Sequence, residues 1–375
     1  MSPEGAHIKS RKFVSMYRKI LGKLGIGAAE DDIEKHKAFD GSTEGEILGI
    51  WFDTKNMTWT LPHRKLIPLI KLLNGATSEE KWSVHKVEVI HGKLVHLAQL
   101  APPIKLLMGG LVQHLREFLA KFEEYKGETK TRHRDLFKVD VSMKEDLGTL
   151  VAILRGTLQD PLPIVKPIES LGISAVRVYT DISGHVPANP SLGIYSPAQT
   201  YENPLVASVA FPGAFLKSKD EVGKNVYCKT TALEALGILT ALMVDPFRFI
   251  GREVLFWNDN ASTVIAFQKG YSRDPWATSV LRAARVVAAR LRVKLFVAWE
   301  PRRSSHGSTI ADNLTHNILH ALSHREVKSY LELARISFPE PILEWMNGPG
   351  KDRCLGAESV NWVLKEYPAL RLLID

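Results

Sequence analysis

The sequence predicts an α/β domain with a mixed sheet and flanking helices, preceded by a helical region. Two observations predict this architecture. From residue 174 onward, strand-like and helix-like segments follow in the order β-β-β-α-β-α-α-β-α, which is typical of an α/β domain. Before the Pro-rich connector QDPLPIVKPIES, apolar residues recur instead at helical spacings.

The elements of the α/β region are assigned from residue type and periodicity. Runs rich in β-branched and aromatic residues predict the strands AVRVYTDIS, SLGIYS, LVASVAFP, REVLFWND and VKLFVAW. Apolar residues at helical spacing predict the helices TTALEALGILTALMV, ASTVIAFQKG, WATSVLRAARVVAARLR and TIADNLTHNILHAL.

Composition limits the class of protein. Of 375 residues, 45% are hydrophobic and 24% are charged, which excludes a disordered or fibrous chain. The formal net charge of +8 fits a polyanionic partner. Two cysteines cannot form a disulfide framework or a Cys-based zinc site, so we expect an intracellular, reducing compartment. The longest apolar stretch is too short for a membrane span, and no membrane partner is expected.

Four carboxylates stand at positions typical of metal ligands. Asp181 ends the first strand of the α/β region, and Asp259 ends the fourth. Glu234 lies within an apolar helix, and Asp312 starts the last predicted helix. A carboxylate among apolar residues is costly to bury unless it is paired or binds a cation. A single Asp at a strand end is usually a turn or cap residue, so the prediction depends on all four together.

This set predicts a site for two Mg²⁺ ions, for which Mn²⁺ can substitute. Mg²⁺ prefers oxygen ligands. Two such ions about 3.5–4 Å apart can activate an attacking water and stabilise the leaving oxygen of a phosphodiester. We therefore expect the four carboxylates to be both metal ligands and catalytic residues.

The same four carboxylates resemble the pattern of the ribonuclease H domain of retroelement reverse transcriptases. That pattern has an Asp on the first strand, a Glu on the first helix, an Asp closing the fourth strand and an Asp opening the last helix. The Asp-Asn pair in WNDN and the form IADNLT look most like DIRS-type and gypsy-type retrotransposons. The resemblance implies a ribonuclease H-like fold that acts on RNA:DNA hybrids.

The resemblance extends upstream and assigns four segments. Residues 1–65 look like a remnant of the palm edge, and 66–165 like the helical thumb and connection. Residues 166–320 look like the ribonuclease H-like domain, and residues 321–375 look like a helical tail. The fingers, most of the palm and the paired polymerase aspartates have no counterpart, so we expect no polymerase activity from this chain. A separate polymerase subunit remains open as a partner.

Two further features are candidates for function. His306 lies where cellular and retroviral relatives carry a mobile histidine that helps product release, although an ordinary loop histidine has the same pattern. The segment before Asp312, EPRRSSHGSTIADN, is longer than in the family.

A basic helix is the predicted nucleic-acid contact. On a helical wheel four arginines fall within about 160° of arc, opposite the apolar residues. Exposed arginines pair with phosphate, although a solvated basic face has the same pattern. The four arginines are Arg282, Arg285, Arg290 and Arg292.

Three functions remain open at this point. The first is two-metal hydrolysis of the RNA strand of RNA:DNA hybrids. The second is a catalytically inactive, nucleic-acid-binding remnant of a reverse transcriptase. The third is another nuclease or a transposase of the same superfamily, which Glu234 on the first helix disfavours.

Overall fold

The protein is described here by a computed structural model. Apart from a few positions within these ranges, it describes residues 44–98, 104–112, 136–156, 162–163, 175–183, 190–199, 202–219, 223–333, 337–347 and 355–374. The chain divides into two compact units, one drawn from residues 1–78 and 150–166, the other from 79–149 and 167–375. The four sequence-based segments remain a prediction.

The described elements are as follows. The strands are β1 (Glu44–Ile47), β2 (Ile50–Asp53), β3 (Thr58–Thr60), β4 (Lys81–Ser83), β5 (Leu136–Lys138), β6 (Leu162–Pro163), β7 (Val176–Ile182), β8 (Ser191–Ser196), β9 (Leu205–Ala210), β10 (Glu253–Asn258) and β11 (Lys294–Trp299). The helices are α1 (His63–Ser78), α2 (Val84–Ala98), α3 (Val141–Gly156), α4 (Gly213–Lys217), α5 (Thr230–Val244), α6 (Pro246–Phe249), α7 (Ala261–Lys269), α8 (Pro275–Arg290), α9 (His306–Thr315), α10 (His324–Leu333), α11 (Glu340–Met346), α12 (Leu355–Glu366) and α13 (Arg371–Ile374).

The first unit contains a small antiparallel sheet in the order β1-β2-β3-β6. Its β2–β3 turn is fixed by Asp53, whose Oδ1 accepts hydrogen bonds from the backbone N–H groups of Lys55 and Asn56, each at 2.9 Å. Pro62 precedes α1 and ends the strand pattern. The boundary between β3 and α1 therefore follows from the local sequence.

The second unit is built on a five-stranded mixed sheet in the order β11-β10-β7-β8-β9. β7 is central and pairs parallel with β10, which pairs parallel with β11. On its other side β7 pairs antiparallel with β8, which pairs antiparallel with β9. Helices flank this sheet, so the predicted ribonuclease H-like α/β fold is confirmed.

The core of this unit lies between the sheet and α5. Residues 232–243 of α5 are all buried, so the helix is enclosed rather than amphipathic. α8 packs against α5, and α12 packs against α8. The segment after α9 also belongs to this core, because Trp345 of α11 lies 5.8 Å from Trp276 and 6.2 Å from Phe215 between ring centroids. The tail is therefore a structural layer of the fold.

Two glycines bring helices close to the central strands. A Cβ on Gly237 of α5 would lie 2.9 Å from Cβ of Thr180 on β7. A Cβ on Gly193 of β8 would lie 2.1 Å from the backbone oxygen of Ala311 on α9. Gly193 pairs with Asp181, and Thr180 and Asp181 point to opposite faces of the sheet. The two helices therefore approach the same point of the sheet from opposite faces.

None of the described helices is long and apolar enough to cross a membrane.

The substitution Gly193→Ala tests the close approach of α9. The added methyl would overlap the backbone of Ala311, which cannot move without shifting the helix. We expect a loss of about 1–3 kcal/mol in the free energy of unfolding, measured by urea denaturation. Gly213→Ala is the control, because no atom lies within 4 Å of that Cβ position. Equal stability of the two variants would contradict the packing described here.

Candidate metal centre

The parallel pairing of β7 and β10 places two aspartates side by side. Thr180 pairs with Asn258 in this register. Asp181 and Asp259 are the residues that follow these two. The carboxyl ends of parallel strands meet at one edge of a sheet, and both side chains lie at that edge. Asp259 directly follows β10, and Asp181 is the penultimate residue of β7.

Glu234 of α5 completes a compact acidic cluster. Ligand oxygens of Asp181, Glu234 and Asp259 all lie within 4.8 Å of one another. Glu234 is placed there because Gly237, one turn later in α5, sits directly on Thr180. Both Asp181 and Glu234 are almost fully buried. The sequence prediction that these three converge agrees with the observed geometry.

Asp312 approaches the same place from α9. The helix begins at His306, because Ser305 forms a capping box with Ser308. The expectation that Asp312 starts this helix is therefore wrong, since it lies nearly two turns inside. Its charge still acts on the cluster, because it raises the pKa of Asp181. Asp312 is 2% exposed, so its charge acts within a poorly solvated site.

The environment of Asp181 favours its protonated form. The pKa of this carboxyl is raised to about 7, and burial is the largest cause. The charges of Asp259 and Asp312 contribute to the rise, and the guanidinium of Arg302 opposes it. Oδ2 of Asp181 is buried and accepts no hydrogen bond from the described residues. A buried carboxylate oxygen without a hydrogen-bond donor can bind a cation.

Glu234 also has a raised pKa, but it accepts a hydrogen bond from a neutral side chain. Burial and the charges of Asp181 and Asp259 raise its pKa well above the ordinary value. Nδ2 of Asn258 donates to Oε2 of Glu234 at 2.8 Å, and its distance to Oγ1 of Thr180 is 3.3 Å. Oδ1 of Asn258 in turn accepts from the backbone N–H of Asn260. This amide orients Glu234 and holds the residues around Asp259.

Two arginines of the loop between β11 and α9 neutralise part of the cluster. Arg302 donates through Nε to Asp259 at 2.8 Å and through Nη2 to Asp181 at 3.1 Å, and its Nε lies 3.6 Å from Asp312. Arg303 donates through Nε to Asp312 at 2.6 Å. Arg303 has a φ of +57°, which is uncommon for a residue with a side chain.

The donor set fits a divalent cation. Asp181, Glu234 and Asp259 offer hard oxygen ligands within 4.8 Å of one another, a group that does not include Asp312, and one buried oxygen of Asp181 accepts no hydrogen bond from the described residues. Carboxylates crowded at this distance repel one another unless a cation or a proton lies between them. The arrangement is therefore compatible with divalent metal binding.

His306 is the first residue of α9. Its side chain is 73% exposed, and its Nε2 is 3.9 Å from Oε1 of Glu326. Glu326 accepts a hydrogen bond of 2.7 Å from Tyr195 and another from the backbone of Ser323. Burial acts to raise the pKa of Glu326, but these hydrogen bonds outweigh it and the pKa is lowered. His306 thus stands on a helix end next to an anionic group.

The basic face predicted for α8 is not formed as expected. Arg285 is buried, with its guanidinium 3.6 Å from the ring centroid of Phe267, and burial lowers its pKa to about 9. The expectation that it faces solvent is wrong, because α8 is covered by other elements of the fold on that side. Arg282 pairs with the buried Asp146 at 2.6 Å. Arg290 and Arg292 are exposed.

The sequence reasoning missed three polar residues of the site. Arg302 and Arg303 stand in the long EPRRSSH segment before Asp312. Their place in that segment was the available signal in the sequence. Asn258 precedes Asp259 within the strand, where a side chain of this kind carries no distinctive pattern.

Among solved structures, the chain is similar to RNase H1 from the halophilic archaeon Halobacterium salinarum NRC-1. The identity is 17%, the match covers 40% of this chain and 99% of that one, and the TM-score is 0.26. No protein-family model matches the chain, and no curated protein matches it. The mixed five-stranded sheet with flanking helices is established by this chain's own strand order.

The substitution Glu234→Gln tests the electrostatic crowding. Because the pKa of Glu234 is raised, the native state holds this proton more tightly than the unfolded chain does. Wild-type stability is therefore lost as pH rises through that raised pKa. In buffer with EDTA, we expect the variant to be more stable than wild type at pH 8 by roughly 1–3 kcal/mol, with a smaller difference at pH 5.

The control for this experiment is Glu80→Gln, because Glu80 is exposed. Chemical denaturation at the two pH values measures all three proteins. A Glu234→Gln variant that is equally destabilised at both pH values would mean that the carboxylate is not crowded as described.

Proposed function

We propose that this chain is a divalent-metal-dependent nuclease that hydrolyses the RNA strand of RNA:DNA hybrids by two-metal catalysis. The observation that carries the proposal is the buried convergence of Asp181, Glu234 and Asp259 at one edge of a ribonuclease H-like sheet. Oxygen ligands on separate elements at one sheet edge are what a phosphodiesterase site of this kind requires.

We assign the following roles to the residues of the site. Asp181, Glu234, Asp259 and Asp312 would hold the cations. Mg²⁺ is the expected ion, with Mn²⁺ as a substitute. Divalent ions at such a site supply activation of the nucleophile and charge stabilisation for phosphodiester hydrolysis. His306, exposed at the start of α9, would assist departure of the product.

The substrate class rests on the resemblance of the acidic pattern to retroelement ribonuclease H domains. A protein tells RNA from DNA in a hybrid by shape and by the 2′-hydroxyl, so little sequence specificity is expected. The net charge of +8 supports a polyanionic substrate. We infer a retroelement origin from the same resemblance, with polymerase function, where present, in a separate subunit.

One observation favours an alternative, an inactive nucleic-acid-binding remnant. Arg302 and Arg303 contact Asp181, Asp259 and Asp312, so three of the four candidate ligands already have a cationic partner. If divalent ions cannot replace these contacts, the fold would bind nucleic acid without cutting it.

A cleavage assay separates the two functions. With the RNA strand end-labelled, we expect the full chain to cut an RNA:DNA hybrid in Mg²⁺ and to leave duplex DNA intact. Asp181→Asn should lower the rate by more than about 100-fold, since changes outside the metal ligands alone cost 10–100-fold. Glu80→Gln should cut like wild type.

Wild-type cleavage no faster than that of Asp181→Asn, with salt-sensitive binding of the hybrid retained, would favour the inactive remnant. Cutting of duplex DNA but not of the hybrid would favour another nuclease or transposase of the superfamily.

A further inference from the structure

An aromatic and two arginines form a continuous group at the open edge of the sheet. We name Trp299, Arg302 and Arg303 the rim. Trp299 ends β11, and the two arginines lie in the loop that leads to α9. None of the three belongs to the predicted nucleic-acid contact on α8.

Trp299 presents its ring to solvent in a fixed orientation. The residue is 52% exposed, which is unusual for so large an apolar side chain. Its indole Nε1 donates to the backbone oxygen of Asp259 at 3.0 Å. The ring therefore stays beside the acidic cluster, with much of its surface available for stacking.

The two arginines keep half of their side-chain surface in solvent. The side chain of Arg302 is 53% exposed and that of Arg303 is 56% exposed. Their contacts with carboxylates run through Nε and Nη2, which leaves Nη1 of each guanidinium for another anion. A planar guanidinium can serve a carboxylate on one edge and a phosphate on the other.

Asp259 joins the two parts of the rim. Its backbone oxygen holds Trp299, and its carboxylate holds Arg302 at 2.8 Å. A polynucleotide strand that stacks a base on Trp299 would therefore have Arg302, held by the same aspartate, available for a backbone phosphate. The combination of an aromatic platform with cations along the backbone is typical of contacts with a nucleic-acid strand.

We propose that the rim is the contact for the substrate strand, with Trp299 stacking a base and Arg302 and Arg303 binding adjacent phosphates. This proposal rests on the proposed function and names the residues that deliver a phosphodiester to its site. It takes the place of the α8 face, where Arg285 is buried and Arg282 pairs with Asp146.

Equilibrium binding tests the proposal without turnover. Fluorescence anisotropy would follow a fluorescein-labelled RNA:DNA hybrid bound by the full chain in EDTA at several salt concentrations. We expect the double variant Arg302→Gln, Arg303→Gln to bind at least about 10-fold more weakly and to reduce the slope of log affinity against log salt by about 1 per arginine. Trp299→Ala should weaken binding by about 5- to 100-fold and remove part of the tryptophan quenching caused by the hybrid.

The matched control is Arg273→Gln, Arg371→Gln, which removes the same charge from two exposed positions that belong neither to the rim nor to the predicted contact on α8. We expect it to change affinity less than 3-fold. Circular dichroism melting of every variant separates a loss of contact from a loss of fold.

Rim variants that fold and bind like wild type would overturn the proposal, and so would an equal or larger loss of affinity in the control. Because no step of this assay requires cutting, an inactive protein with rim-dependent binding contradicts only the proposed nuclease function. Active protein with rim-independent binding contradicts only the rim.

Discussion

Repulsion among carboxylates crowded at one sheet edge is the constraint on which the rest of this structure depends. Asp181 and Glu234 are buried, and the charges of neighbouring aspartates raise the pKa of both. Asn258, Arg302 and Arg303 offset this cost through hydrogen bonds and ion pairs. Selection for stability alone would place apolar residues here, because apolar residues in place of buried charges often leave a protein equally stable or more stable.

The surrounding fold supports that arrangement with rigid elements. α5 is enclosed on all sides, so Glu234 has no route to solvent by a small rotation of the helix. Gly237 and Gly193 allow α5 and α9 to touch the central strands where a side chain would hold them away. The C-terminal helices cover α8 and bury aromatic side chains against the same core. The positions of the four carboxylates are thus determined by the packing of helices and central strands rather than by loops.

Much of the fold and part of the site could be predicted from the sequence. Strands such as SLGIYS are evident from β-branched and aromatic residues, and α5 from its apolar length. Asp181, Glu234 and Asp259 stood out because carboxylates among apolar residues are costly. The prediction that Arg285 is exposed was wrong, because helical periodicity shows which residues share a face but not which faces other segments cover. Arg302 lies in an irregular loop, where no periodicity predicts that its side chain returns to the cluster.

The central claim is that these carboxylates form one divalent cation site, and anomalous diffraction tests it most directly. Crystals of the full chain grown with MnCl₂ would be measured on both sides of the manganese absorption edge. The account predicts an anomalous peak in contact with the carboxylates of Asp181 and Asp259, with Arg302 moved away from at least one of them. No peak at this position, with the guanidinium still bridging Asp181 and Asp259, would contradict it.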